Sequence, residues 1–370
     1  MTQQPRRNFL KQTAATTAAL TVNAVAAPLI HPPTARIRFA AIGLNHNHIN
    51  GQVKAVQRGG GELVAFYAPE PDLIAKFQKD FPGVKLARSE AEILEDKSIQ
   101  LVVCASIPID RAALGIRVMQ HGKDFMVDKP GVISLEQLAE VRRVQAQTKR
   151  IFSILFSERL ENRATVKAAA LVKAGAIGKV IQTVSLGPHQ IVQKDVVRPP
   201  WFWDTKYYGG ILTDIASHQF EQFLYFTGST RAEIAAAQVR NVNHPQQPKF
   251  EDFGDALLRG DGGTGYIRVD WFTPKGLGVW GDGRLTVTGT EGYLEVRKNV
   301  DIGGRKGGNH LFLVNQKETR YFDCSNEPLP YGEQLVNDIL NRTETAMPQA
   351  HCFLAMELAL QAQQVARRLS

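Results

Sequence analysis

The feature that most restricts this chain is a regular alternation of short apolar runs with amphipathic segments between Arg36 and Leu155. "RIRFAAIG" ends at Gly43, and Ile49, Val53 and Val56 then recur at helical spacing until Gly59-Gly60-Gly61 stops them. "ELVAFYA" precedes "PDLIAKFQKDF", which sets Leu73, Ile74, Phe77 and Phe81 on one helical face. "SIQLVVCAS" precedes "DRAALGIRVMQHG". "DFMVDKP" precedes "SLEQLAEVRRVQAQT", whose Ser134 and Gln137 form a capping-box pair, and "RIFSILFS" closes the series. Uninterrupted apolar runs suit strands buried on both faces. A helix between successive strands makes the strands parallel, with right-handed crossovers. The pattern predicts a doubly wound parallel sheet.

That unit is a Rossmann-like domain over residues 36–155. The rest, 156–370, changes character. A helix around Val166–Lys173 and the turn "AGAIG" lead to the strand "KVIQTVSLG", an aromatic loop, and a helix around Ile211–Phe226 closed by Gly228. Seven short alternating strands follow, from "AEIAAAQVR" to "TRYFDC", with glycine turns between them. The last helical region runs from Tyr331 to Arg368, broken at Pro348. The second domain is therefore α+β, with a large, mainly antiparallel open sheet flanked by helices. Its C-terminal helix is expected to pack back near the first domain.

The formal charge of +8 is modest, and Arg6, Arg7 and Lys11 supply part of it without a neighbouring acid. It excludes nucleic acid as the expected partner. Cys104, Cys324 and Cys352 show no metal-type spacing and read as buried thiols. The opening "PRRNFLKQTAATTAALTVNAVAAP" reads as an address: a twin arginine, a short threonine-rich apolar region, and Ala24-Val25-Ala26 ahead of Pro28. Residues 1–35 are accordingly set aside from the fold. They predict export to the periplasm by the twin-arginine route, with no stable membrane insertion after processing.

Three motifs carry possible chemistry. The first is "RFAAIGLNHNHING", where a strand meets a helix. Of the dinucleotide fingerprint G-x-G-x-x-G only Gly43 remains. Asn45 and His48 occupy the later glycine positions. Asn45 tolerates positive φ, and the backbone N–H groups at the helix start still suit a phosphate. His46 and His48 are expected to be neutral there, donating to phosphate or packing. A metal site at His-x-His is not expected, because a helix start does not put both rings on one side and no acidic third ligand is visible locally. The second motif is Asp128-Lys129-Pro130, at the carboxyl end of a parallel strand, where open α/β sheets bind ligands. A solvated turn lysine is the competing reading. The third is "GGILTDIASH". A helix there places Asp214 and His218 one turn apart as an acid–base pair, or simply as a surface pair. Upstream, Trp201, Trp203, Tyr207 and Tyr208 either stack on a sugar face or pack over the sheet, and His189 is a further substrate-contact candidate.

In this order, the G-turn, Asp-Lys-Pro and Gly-Gly-x-x-x-Asp-x-x-x-His resemble the Gfo/Idh/MocA oxidoreductases, of the glucose–fructose oxidoreductase and inositol dehydrogenase types. The likeness covers essentially the chain after the signal, including "LVKAGAIGKVIQTV". It implies NAD or NADP as a tightly bound cofactor and a carbohydrate or cyclitol hydroxyl as the site of hydride transfer. Lys129, Asp214 and His218 are then the catalytic residues, with His218 as proton acceptor. Gly43, Leu44, Asn45, His46 and His48 border the cofactor, together with Ser106, Ile107, Pro108, Asp128 and Lys129. Asp128 stands where the family has glutamate. The likeness also implies a homodimer or homotetramer through the C-terminal sheet.

The second strand ends at Ala68, where the ribose-binding acid is usual; Glu70 comes two residues later and Asp72 four. NAD versus NADP therefore stays open. Two other functions remain open as well: cleavage of glycosides through a transient keto-sugar with bound NAD, and a binding protein without catalysis.

Overall fold

The computed structural model describes residues 35–191 and 197–369. The export segment read in residues 1–35 falls outside these, apart from its last position.

The alternation in the first half produces β1 (Ile37–Ile42), α1 (His48–Arg58), β2 (Gly61–Tyr67), α2 (Pro71–Asp80), β3 (Lys85–Leu86), α3 (Glu90–Glu95), β4 (Leu101–Cys104), α4 (Pro108–Gln120), β5 (Asp124–Asp128), α5 (Leu135–Thr148) and β6 (Phe152–Leu155). The six strands are parallel, in the order β3-β2-β1-β4-β5-β6. Every residue of β4, β5 and β6 is buried, as suits their mainly apolar sequences. Where a polar side chain enters this core its hydrogen bonds are met. Gln52 of α1 donates to the carbonyl of Cys104 at 2.9 Å and accepts its N–H at 3.2 Å. At the start of α5 the Ser134 hydroxyl accepts the Gln137 N–H at 3.2 Å. Gln137 returns the favour one residue early, accepting the N–H of Ile133.

The second half contains α6 (Ser157–Leu160), α7 (Arg163–Lys173), β7 (Val180–Pro188), α8 (Thr205–Tyr208), α9 (Ile211–Asp214) and α10 (Ser217–Thr227). The strands β8 (Ala232–Arg240), β9 (Phe253–Gly260), β10 (Thr264–Asp270), β11 (Arg284–Gly289), β12 (Gly292–Arg297), β13 (His310–Asn315) and β14 (Thr319–Asp323) follow. The chain ends with α11 (Tyr331–Asn341), α12 (Gln349–Val365) and β15 (Arg367–Arg368). One nine-stranded sheet results, ordered β14-β13-β12-β11-β7-β10-β9-β8-β15. It is mostly antiparallel. β7 lies inside it, parallel to β10 and antiparallel to β11. Its strands alternate inward and outward residues. Leu285 faces Val296 and Val287 faces Leu294 across β11 and β12, all four buried against α7, while Tyr293 on the other face is exposed.

The last two helices return to the first sheet. Phe353 of α12 packs on Phe152 with ring centroids 6.2 Å apart. The Gln349 side chain accepts the Phe152 N–H at 2.8 Å and donates to its carbonyl at 3.2 Å, closing the free edge of β6. Helices α1 and α11 cross so closely that a Cβ at Gly332 would lie 1.8 Å from the carbonyl oxygen of Ala55.

Candidate active site

Strand order in the parallel sheet reverses between β1 and β4, and the crevice outside the carboxyl ends there is where such sheets receive ligands. A cavity of about 560 Å³ opens beside it. The first sheet contributes His46, Asn47 and His48 from the loop after β1, Pro108 and Arg111 at the start of α4, and Lys129 just past β5. The second half contributes Glu158, His189, Asp214, His218 and Lys298, with Arg198, Trp201, Trp271 and Trp280.

The structure brings Lys129 and Asp214 together across the two halves: Lys129 Nζ donates to Asp214 Oδ1 at 2.8 Å. Both side chains are largely shielded from water. His218 shares the cavity, but the continuous helix expected across "GGILTDIASH" is broken. α9 ends at Asp214 and α10 begins at Ser217. At the break the Ala216 N–H bonds back to Ile211 and the Ser217 hydroxyl donates to the Asp214 carbonyl. A local hydroxyl–carbonyl bond of this kind competes with the helical ladder. His218 is buried, and its Nδ1 has no hydrogen-bond partner among the described residues. Burial pushes its pKa down to about 3, although the nearby Glu158 carboxylate works in the other direction. His189 is likewise held at about 4 by burial, with Nδ1 3.0 Å from the Gly187 carbonyl. Both imidazoles are neutral at physiological pH.

Beneath His218 lies a polar cluster that the sequence reading missed. Lys298, just past β12, donates to Glu158 and, at 2.8 Å, to the Gln222 side chain, and Gln219 donates to Glu158 at 2.8 Å. Burial alone would raise the Glu158 pKa, but the Lys298 ammonium holds it well below the usual carboxylate range. The two residues are 140 positions apart in the chain, so no local spacing advertises their pairing. Of the aromatic candidates, only Trp201 lines the cavity, as does His189. Trp203 packs on Phe202 and Phe250, and Tyr208 is buried with its hydroxyl accepting the Glu251 N–H. Tyr207 is half-buried and does not line the cavity. An aromatic loop bounded by Pro and Gly can fold inward as readily as it can face a ligand. Here it mostly does so. Trp271 and Trp280 take the wall positions instead.

The residues around the first turn fit a dinucleotide. Gly43 has φ +78°, and a Cβ there would sit 2.6 Å from Ser106 Cβ, so only glycine allows this close approach. Leu44 is buried beneath the turn, and Ser106 and Ile107 lead into α4 without lining the cavity. α1 has no acidic residue in its first turn, although the N–H groups of His48, Ile49 and Asn50 there already bond to His46 and Asn47. Asn45 does not simply replace a glycine. Its Nδ2 donates to Glu70 Oε1 at 2.9 Å, and Glu70 Oε2 is buried without a partner among the described residues. An acid thus reaches the turn although Ala68, and not an acid, directly follows the strand.

The expectation for His46 and His48 needs correcting. His46 lies in the bend before α1 and His48 is its first residue, so helical periodicity does not separate them. Their rings meet edge-on at 4.0 Å. The acidic neighbour that is not visible locally comes from β5: Asp128 Oδ1 lies 2.9 Å from His48 Nδ1 and Oδ2 lies 3.7 Å from His46 Nδ1. Asp128 is buried, which favours its neutral form. His48 and the Arg111 guanidinium override this and hold it well below the usual carboxylate range. Burial and the neighbouring His48 push the His46 pKa well down.

Comparison with known proteins agrees with this architecture. Residues 37–156 match the oxidoreductase family with an NAD-binding Rossmann fold, and residues 165–295 match the GFO/IDH/MocA C-terminal domain. A scyllo-inositol 2-dehydrogenase (NAD(+)) of Bacillus subtilis (strain 168) is 24% identical over 299 residues, 78% of this chain and 83% of that protein. A myo-inositol 2-dehydrogenase of Thermotoga maritima is 29% identical over 261 residues, 70% of this chain and 69% of the relative. A solved structure from Erwinia carotovora atroseptica SCRI1043 is 48% identical and superposes with a TM-score of 0.87, covering 90% of this chain and 100% of that one.

Proposed function

Because the chain belongs to the GFO/IDH/MocA oxidoreductase family and is an NAD(P)-binding oxidoreductase, we propose that Lys129, Asp214 and His218 oxidise a ring hydroxyl of a cyclitol or sugar. The inositol dehydrogenase relatives support that substrate class. The observation that carries the assignment is the Lys129–Asp214 contact at 2.8 Å in the same cavity as a buried, neutral His218 whose Nδ1 is unpartnered. When bound, the nicotinamide supplies the hydride-accepting ring. Lys129 donates a hydrogen bond to the substrate hydroxyl oxygen, and Asp214 fixes the ammonium in place. His218 takes the hydroxyl proton. Trp201, Trp271 and Trp280 give the ring an apolar wall and exclude water. The test is incubation of purified protein and NAD with a panel of inositols and sugars, followed by reduced-nicotinamide absorbance. Release of an aglycone from aryl glycosides with no net reduction would transfer the site to glycoside cleavage, and inactivity with every donor would overturn the assignment.

The cofactor is NAD rather than NADP. The unpartnered Glu70 Oε2 beside Asn45 is a hydroxyl acceptor, and a 2′-phosphate would meet a carboxylate there. The outward face of the nine-stranded sheet carries exposed Leu257, Tyr293 and Tyr321, which supports a homo-oligomer built through that sheet. The twin arginine and the Ala24-Val25-Ala26 site support periplasmic export, which cell fractionation checks.

A further inference from the structure

His46, His48 and Asp128 set two imidazoles and one carboxylate around a single point at the edge of the cavity. We propose that these three side chains bind a divalent transition-metal ion of the zinc class. Their donor atoms all lie within 4.8 Å of one another. Ligand bonds of about 2.0–2.2 Å in tetrahedral geometry require donors roughly 3.3 Å apart. The two histidine–aspartate separations, 2.9 Å for His48 Nδ1 to Asp128 Oδ1 and 3.7 Å for His46 Nδ1 to Asp128 Oδ2, bracket that value. Small rotations of the side chains are enough to admit the ion. His46 Nδ1 accepts the His48 N–H at 3.2 Å, a long hydrogen bond that the ion replaces.

The donors are anchored as a metal site requires. Asp128 ends β5 and the His-x-His segment leaves β1, so all three sit on the carboxyl edge of one parallel sheet. Arg111 holds the carboxylate from behind: it donates to Asp128 Oδ2 at 3.2 Å and to the carbonyls of Asp128, Lys129 and Pro130. Two cations stand close by: Lys129 is paired with Asp214, while Arg111 shares Asp128 with the ion and is also met by the carbonyls of Ser106, Asp128, Lys129 and Pro130. Two imidazoles among three donors select zinc, nickel, cobalt or copper over magnesium or calcium. His46 and His48 also line the cavity, so the remaining coordination positions open towards it.

This inference does not depend on the cofactor or substrate assignment, and neither is needed to test it. Chelator-treated full-length protein is titrated with zinc by calorimetry and with cobalt by visible absorption. The expected result is one equivalent bound, with affinity falling more than tenfold in His48→Ala and in His46→Ala. His48→Ala, on a part-exposed ring, is expected to melt like the parent protein when metal-free, so its loss of binding reads the site and not the fold. Asp128→Asn is expected to alter the cobalt spectrum. Absence of binding in the parent protein, or unchanged affinity in both histidine variants, overturns the proposal.

Discussion

The two sheets feed one cavity in different ways. The parallel sheet is buried on both faces and presents residues only past the ends of its strands: His46 and His48 after β1, Pro108 after β4, Lys129 after β5. The larger sheet is covered on one face. It contributes through helices laid on that face and through loops at its rim: His218 on α10, Asp214 at the end of α9, Lys298 after β12. The charges differ accordingly. On the first wall Arg111 is matched at close range by backbone carbonyls and Asp128, and Lys129 by Asp214 from across the cavity. The second wall holds neutral imidazoles above a buried ion pair. Under the proposed function, one wall would hold a charged cofactor and the other would move a proton on a neutral substrate.

The division of labour can be broken at several points. The largest effect is expected from His218→Ala: kcat should fall by about 10²–10⁴-fold while the NAD dissociation constant stays unchanged. An equal loss of NAD binding would show that the walls do not divide as described. Lys298→Met leaves Glu158 charged and buried without its partner and should lower unfolding free energy by about 3–5 kcal/mol in denaturant titrations. The same substitution at an exposed pair such as Lys249 with Asp204 should cost under about 1 kcal/mol. On the first wall, Glu70→Gln should narrow the NAD-to-NADP affinity ratio by about tenfold, measured by fluorescence titration, with kcat little changed.

A pH slope is expected as well. His189 and His218 have folded-state pKa values near 4 and 3, below the unfolded value of about 6.5. The unfolded chain therefore binds more protons between these limits. Stability is fully present above pH about 6.5 and declines as pH falls towards 4. Melting temperature followed over that range should drop, and His189→Gln should flatten the drop. A drop of the same size in the variant would remove His189 from the explanation.

How much of this was legible depended on the range of the interactions involved. The first sheet could be read because "LVVC" and the "FMV" of "DFMVD" are continuous apolar runs, and a strand buried on both faces needs that pattern. Lys129 could be read because its place after a parallel strand is itself informative. Asp214 and His218 were found by spacing, but the break at Ile215 and Ala216 was not, since it rests on hydrogen bonds that no periodicity shows. Glu158 with Lys298, and Asp128 with His48, meet only through the tertiary fold. Trp203 and Tyr208 were grouped with Trp201 on residue type alone, and they point into the packing instead.

The Gln349 bonds to Phe152 bear on the order of synthesis. A ribosome makes the whole parallel sheet long before α11 and α12 emerge, so β6 waits with its edge unpaired and α1 without the helix that crosses it. Folding of the first domain is completed by a segment made long after its own strands. A chain truncated before Tyr331 should be recovered in aggregates, because it exposes a strand edge and apolar surface together.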